Sequence, residues 1–437
     1  MDGMSDYDPA AEVVEICRDL IRIDTSNFGD HSGPGERIAA EHVATLLSEV
    51  GLEPKILESH PKRTSLIARL PGEDSTRPPL IVHGHLDVVP ANAPDWKIDP
   101  FSGEIADGCV WGRGAVDMKD FDAMMLAVVR QRLREGRKPA RDLVLVFPAD
   151  EEAGGTWGAR FLVEQHRDEF EGATEAVGEV GGFSLTLGGR RLYLLQTAEK
   201  GIAWIRVTAQ GRAGHGSMVQ ADNAVTELAT SIGRLGRHEW PTRLIPSVRA
   251  FLEGAAQALD TEFGPNDPGQ LLPEIGTISR IIGATLQNTA NPSVLRAGYK
   301  VNVVPQTASA EIDCRFLPDH EEEFFAELDK VLGPHVTREF IHHDIAVQTT
   351  PDGDLYDAMT RALVEEDPDA QVIPYCLSAG TDAKSFSRLG VRCFGFTPLQ
   401  LSPDLDFSGM FHGIDERVPV EGLQFGVRVL DRFFGCC

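Results

Sequence analysis

No run of about eighteen apolar residues occurs anywhere in the chain, so no segment is long enough to cross a bilayer as a helix. The first residues, Met1 to Ala10, are acidic and polar, unlike a secretory signal, and the chain reads as cytoplasmic. Basic charge is also scarce. Against 67 Asp and Glu stand 41 Lys and Arg, a formal net charge of −26. Such a surface repels phosphate backbones, which argues against nucleic acid as a partner. Acidity of this kind accords with cation binding and equally with solubility alone. The seven cysteines include no CxxC pair and are odd in number, which argues against a disulfide framework and a Cys-ligated zinc site. Internal repeats and low-complexity tracts are absent.

At 437 residues the chain exceeds the size at which one core stops growing, which predicts two domains. Apolar content of 42% and charged content of 25% are ordinary globular values. The first third alternates helical and strand patterns, as an α/β sheet with mainly parallel strands would. Helices are expected over about 9–23 and up to 49, separated by a Gly-rich turn. Apolar runs at 64–70, 80–82, 143–147 and 391–396 read as buried strands. After Asp117, the residues Phe121, Met125, Val129 and Leu133 form an i+4 ridge that Gly136 ends. Near Gly201 the character changes. A strand at 202–208 precedes a helix lined by Val225, Leu228, Ile232 and Leu235, with Asp222 or Asn223 as its cap. Strict alternation at 308–316 predicts a half-buried antiparallel strand. Helical patterning near 321–332 reads as a return to α/β character, which ends in a helix after Pro419. The expected fold is an α/β domain with a mainly parallel sheet and helices on both faces, in two parts (1–199 and 318–437). A smaller α+β unit at 200–317 interrupts it.

Hard ligands recur just past apolar strands or in Gly-rich loops, where open α/β sheets bind their ligands. In Leu80-Ile-Val-His-Gly-His85-Leu-Asp87, period-2 geometry puts His85 and Asp87 on one side. The carboxylate can then hold one imidazole nitrogen while the other binds metal, although a satisfied buried histidine has the same pattern. Asp117 sits where a Gly-containing loop turns into a helix, with room to bridge two cations or simply to cap that helix. Glu151 and Glu152 are adjacent acids at a strand end, which repel unless a cation or proton compensates. One can bind metal while its neighbour takes a proton from water; a solvated acidic turn is the alternative. Glu179 between glycines, His412 in Phe411-His412-Gly-Ile-Asp-Glu416, His215 in a Gly-rich turn, and Ser378-Ala-Gly-Thr381-Asp382 are each ambiguous singly.

Together, the order, spacing and wording of these motifs resemble the aminoacylase, succinyl-diaminopimelate desuccinylase and glutamate carboxypeptidase family of dinuclear zinc metallopeptidases. The resemblance runs from about Glu15 to Phe434. It is carried by HGHLDVVP, GRGAVDMK, DEEAGG, NVVP followed by DCR, GTDA and the terminal HGIDE. It implies an enzyme whose catalytic domain is interrupted by an inserted lid, or dimerisation, domain. It further implies one Zn²⁺ held by His85 and Glu179, a second by Glu152 and His412, and Asp117 bridging both. A cis peptide is implied after Asp117. Asp87 would orient His85, and Glu151 would be the general base on the metal-bridging water. His215 resembles the oxyanion-stabilising histidine, which often reaches the site of a partner subunit and so implies a homodimer through the lid. Arg315 resembles the clamp for a substrate carboxylate, with Asn302, Gly380 and Thr381 as further substrate contacts.

A charge count agrees with this set. Two divalent cations are balanced by Asp117, Glu152, Glu179 and one bridging hydroxide, and a neutral cluster can be buried. Imidazole and carboxylate without thiolate suit zinc, and Co²⁺ or Mn²⁺ would fit as well. The implied reaction is cleavage of an amide or peptide bond in a small substrate with a free carboxylate, as by an N-acyl amino acid amidohydrolase or carboxypeptidase. A dipeptidase or aminopeptidase is the alternative within the family, and Glu rather than Asp at 179 favours the acylase side. An inactive small-molecule-binding homologue is the alternative of another class, and the presence of all five ligands, Asp87 and Glu151 speaks against it. Two positions depart from the family pattern. Asp120 replaces a glycine, where it would tighten the helix start through its dipole or narrow the site, and Ala379 replaces another, where it bears on how closely backbone approaches substrate.

Overall fold

A computed structural model describes residues 8–264 and 267–437; the acidic start, Met1 to Tyr7, lies outside them. The larger of its two main sheets has ten strands. At the centre Leu143–Phe147, Leu80–His83, Glu175–Gly178 and Arg392–Gly395 run parallel, side by side. Both faces are covered, so the first two are buried at every residue, which is why they read as continuous apolar runs. Period-2 alternation divides their side chains between two cores. Leu143, Leu145, Phe147 and Val82 meet residues of the helices Pro9–Arg22, Lys119–Arg134 and Val420–Cys436. Val144, Val146 and Ile81 meet those of Ala159–Gln165 and Ala383–Ser387. An antiparallel pair, Lys55–His60 and Arg63–Leu70, extends one side of the sheet. On the other, Arg190–Glu199 runs antiparallel to Phe183–Leu187 and Val347–Gln348 and parallel to Gln371–Leu377.

The second sheet is antiparallel, in the order Thr289–Ala297, Thr307–Phe316, Gly201–Gln210, Val336–Asp344. The helices Ala224–Leu235 and Glu321–Leu332 cover one face, over Ala203, Ile205, Val207, Ala310, Ile312 and Cys314. Asn223 caps the first helix, accepting from the Val225 N–H at 2.9 Å. The expected end of this unit at 317 falls short. Phe324, Leu328 and Leu332 of helix Glu321–Leu332 pack on the small sheet, and Val336–Asp344 is its fourth strand. Periodicity identifies a helix but not the sheet its apolar face covers. Conversely, Val248, Phe251 and Leu252 of helix Pro246–Ala258, inside the expected unit, join the large core. The chain thus crosses between the cores repeatedly. Lys384 Nζ ties two of these crossings together, donating to the carbonyls of Lys200 at 2.7 Å and Ile345 at 2.9 Å. No helix among the described residues is long and apolar enough to cross a membrane.

Candidate metal centre

Parallel strands direct their carboxyl ends to one rim of the sheet, and the candidate ligands stand there. His85 lies two residues past Leu80–His83, Glu152 beyond Leu143–Phe147, and Glu179 at the end of Glu175–Gly178. Asp117 comes from the loop before helix Lys119–Arg134, whose N-cap is Met118, so Asp117 is free of the capping role its position allowed. The Asp117–Met118 peptide is cis. Glu416 fastens this loop: one oxygen accepts from the Val116 and Asp117 N–H groups at 2.7 and 3.2 Å, and the other meets Arg113 at 2.5 Å. Arg113 in turn donates to the Gly413 carbonyl at 2.9 Å, which sets His412 relative to Asp117.

Two sets of side chains converge. His85 Nε2 lies 3.1 Å from Asp117 Oδ1 and 2.9 Å from Glu179 Oε2. His412 Nε2 lies 3.3 Å from Asp117 Oδ2 and 3.0 Å from Glu152 Oε2. Within each set the candidate ligand atoms are all within 4.8 Å of one another. Glu151 Oε2 stands 4.0 Å from His85 Nε2. Acids and His412 form one side of a cavity of about 250 Å³, and Val180, Phe183, Ile281, Leu377, Ala379 and Phe411 form much of the rest.

Burial governs the electrostatics. It pushes up the Glu151 and Glu152 carboxyls, reinforced by the charges of Glu179 and Asp117 respectively. Burial raises Glu179 to about 7 against the opposing pull of His85. Burial also opposes ionisation of Asp117, but hydrogen bonds with His412 and His85 outweigh it and leave that carboxyl below its ordinary range. Hydrogen bonds to Asp117 and Glu152 lift His412 to about 10. Burial disfavours a charged His85, yet Glu179 and Asp117 override it and raise that group as well. The crowded carboxyls thus favour positive charge between them, on the imidazoles or on a bound cation. Donor sets of oxygen and imidazole nitrogen, without thiolate, fit borderline divalent ions of the zinc, cobalt or manganese type.

The remaining residues singled out in the sequence are not all at this centre. Asp87 is, but not as expected. His85 Nδ1 lies 2.9 Å from the Asp87 main-chain carbonyl, with the carboxylate at 3.7 Å. That carboxylate instead accepts from the N–H groups of Glu151 and Glu152, at 3.0 and 3.1 Å. Backbone direction past the strand end is not set by period-2 spacing. Gly380 lines the cavity, while the Thr381 hydroxyl turns to Glu199 at 2.8 Å. Arg315 lies outside the cavity wall and is engaged by Asp313 through two bonds, of 2.7 and 3.1 Å. His215 is exposed, pairs with the Ser217 hydroxyl at 2.8 Å and adjoins Asn302 at a short ladder, away from the cavity. Asp120 does not narrow the site. Its carboxyl is fully buried, and burial drives it well up against a weaker backbone interaction with Phe121, which disfavours a charge at the helix start. Sequence reasoning passed over Glu416 and Arg113, although both stand inside quoted motifs. It also missed Asn27, Glu36, Arg63 and Asp150, of which the first three lie in no motif.

The fold has close counterparts. The model of peptidase family M20/M25/M40 matches residues 81–435. The chain belongs to that family. Aminoacylase-1 of Sus scrofa is 30% identical over 380 residues, covering 85% of this chain and 82% of its own length. A probable carboxypeptidase S-like 2 of Dictyostelium discoideum is 28% identical over 385 residues, with coverage of 82% and 72%. An M20 family metallo-carboxypeptidase from Sulfolobus solfataricus has the same fold at 18% identity, with a TM-score of 0.73 over 97% of this chain and 99% of its own. This M20/M25/M40 member is a hydrolase of amide or peptide bonds. The match takes in all five residues of the two converging sets and begins after Asn27, Glu36 and Arg63.

Proposed function

We propose that this hydrolase works with two divalent cations, zinc first among them, on an N-acyl amino acid or short peptide bearing a free carboxylate. The observation that supports this most is the placement of Asp117, which turns one oxygen to His85 and the other to His412. Glu179 and Glu152 complete the two sets, and Glu151 stands beside them on the cavity wall. In this reading His85 and Glu179 hold one ion, Glu152 and His412 the other, and Asp117 both. When bound, such ions lower the pKa of a water between them and polarise the amide carbonyl. Glu151 takes a proton from the attacking water and delivers it to the leaving amine, a role that suits a carboxyl whose burial makes it a stronger base. The Asp87 carbonyl holds His85 so that Nε2 faces the centre. The apolar wall receives an apolar acyl or side-chain group.

Arg315 is the candidate clamp for the substrate carboxylate, which would replace Asp313 in its fork. The units at about 201–241 and 288–344 form the lid. His215 and Asn302 act from a second copy of the chain, a reading supported by the exposed Met218, Val219, Tyr299 and Val301 around them. Elemental analysis of the purified protein, paired with hydrolysis of N-acyl amino acids and dipeptides before and after chelation, tests the whole reading. Two equivalents of metal and chelator-sensitive cleavage are expected. Cleavage confined to substrates with a free amine would favour the dipeptidase or aminopeptidase alternative. Absence of both metal and turnover would return the inactive-homologue reading.

A further inference from the structure

Three buried carboxylates, Glu36, Asp87 and Asp150, surround Arg63 and Asn27 beneath the centre, all at 4% exposure or less. Arg63 pairs with Glu36 and donates to Asn27 Oδ1 at 2.7 Å, with its Nε 3.4 Å from Asp150. A guanidinium can only donate, so the amide oxygen of Asn27 must face it and the NH₂ must face away. That NH₂ donates to Asp87 Oδ2 at 2.8 Å and to Asp150 Oδ1 at 3.2 Å. Its two hydrogens therefore bridge two buried carboxylates, of which only Asp150 also has Arg63 within ion-pair distance.

Asp87 passes this order on. Its two carboxylate oxygens accept from the N–H groups of Glu151 and Glu152, while its carbonyl lies against His85 Nδ1. Asp150, in left-handed backbone at φ 65° and ψ 14°, begins the same turn, and its other oxygen accepts from Trp157 N–H at 3.0 Å. One side chain thus fixes the plane of the carboxylate on which the candidate base and a candidate ligand both hang.

Resting on the two-metal reading above, we propose that Asn27, oriented by Arg63, is a positioning residue. It sets the Glu151–Glu152 turn through the Asp87 carboxylate. It touches neither metal nor substrate, and its effect reaches the centre through Asp87 and Asp150.

The test compares wild type with Asn27→Leu, which keeps the branching at Cγ, though larger, and removes the donors. Asn27→Ser, smaller and still a donor, serves where the leucine variant fails to fold. Zinc affinity is measured by competition with a chromophoric chelator, alongside kcat, KM and thermal unfolding. Loss of such a supporting partner lowers metal affinity or activity by about 10–100-fold. The expected result is that fall in affinity for one of two zinc equivalents and in kcat, with KM within about threefold and Asn27→Ser intermediate. Variants that lose only thermal stability, with zinc binding and kcat unchanged, overturn the inference. If wild type binds two zinc ions but cleaves no amide, the function reading fails alone, since the affinity comparison still decides the role of Asn27. A wild-type chain that binds no zinc overturns both.

Discussion

Gly178→Ala tests whether the strands that present His85 and Glu179 are locked together by contact. A Cβ at 178 would lie 2.2 Å from both Cε1 and Nε2 of the His83 ring, whereas ordinary contact begins at 3.4 Å. Something must yield by about 1.2 Å. The ring has little room to yield, because His83 is buried and packs at a tilt against Phe386 with centroids 4.7 Å apart. The paired strands Leu80–His83 and Glu175–Gly178 must part instead. Overpacking of this kind costs about 1–3 kcal/mol. The same shift draws Glu179 away from His85, now 2.9 Å distant, so zinc affinity should fall with stability. The assay is a double-mutant cycle with His83→Ala, read by denaturant unfolding. With the ring removed, alanine at 178 should cost almost nothing, leaving a coupling of about 1–3 kcal/mol between the sites. Strictly additive costs, or a Gly178→Ala chain as stable as wild type, would refute the reasoning.

Further outcomes follow from the centre and from the crossings between cores. Glu151→Gln should retain both metals and lose about 10²–10⁴-fold in kcat; near-normal turnover would remove Glu151 from the role of base. His412→Ala should bind close to one equivalent of metal, and an unchanged stoichiometry by elemental analysis would refute its assignment as a ligand. Burial lowers Lys200 to about 7, and its Nζ donates to the carbonyls of Ala284 and Gln287. Between pH 7 and 10 the unfolded chain then holds the extra proton, so this lysine's contribution to stability rises with pH. The difference in unfolding free energy between wild type and Lys200→Met should move in wild type's favour by up to about 4 kcal/mol over that window. A flat difference would show that the ammonium is not desolvated.

Strands buried on both faces were legible because nothing polar interrupts them, and Leu143–Phe147 is found where its apolar run lies. The convergence of the five candidate ligands was legible for a related reason, since each sits in a short motif at a strand end or loop. What could not be read was assignment between distant parts. Helix Glu321–Leu332 has the expected bounds, yet its periodicity carries no label for the sheet it covers. Asp87 lies beside His85, but its carbonyl and carboxylate serve different partners than spacing suggests. Asn27, Glu36 and Arg63 are spread along the chain in no motif and meet Asp87 and Asp150 only when the sheet assembles. Arg315 was expected to clamp a substrate carboxylate, but Asp313, two residues away on the same strand face, occupies its fork.

The two candidate positions differ most in access. His412 keeps 57% of its side chain open to solvent, while His85 keeps 1%. A cation bound through the open imidazole could be stripped one bond at a time as that ring swings outward, whereas one behind His85 would need the sheet rim itself to breathe. The two would then exchange on separate clocks. Rapid mixing of loaded protein with a chelator should release one equivalent quickly and one slowly, and a single phase would show that the loop offers no easier exit. Turnover in the cell would then track the ion that is free to come and go, and the enclosed position would keep whatever the protein acquired as it folded.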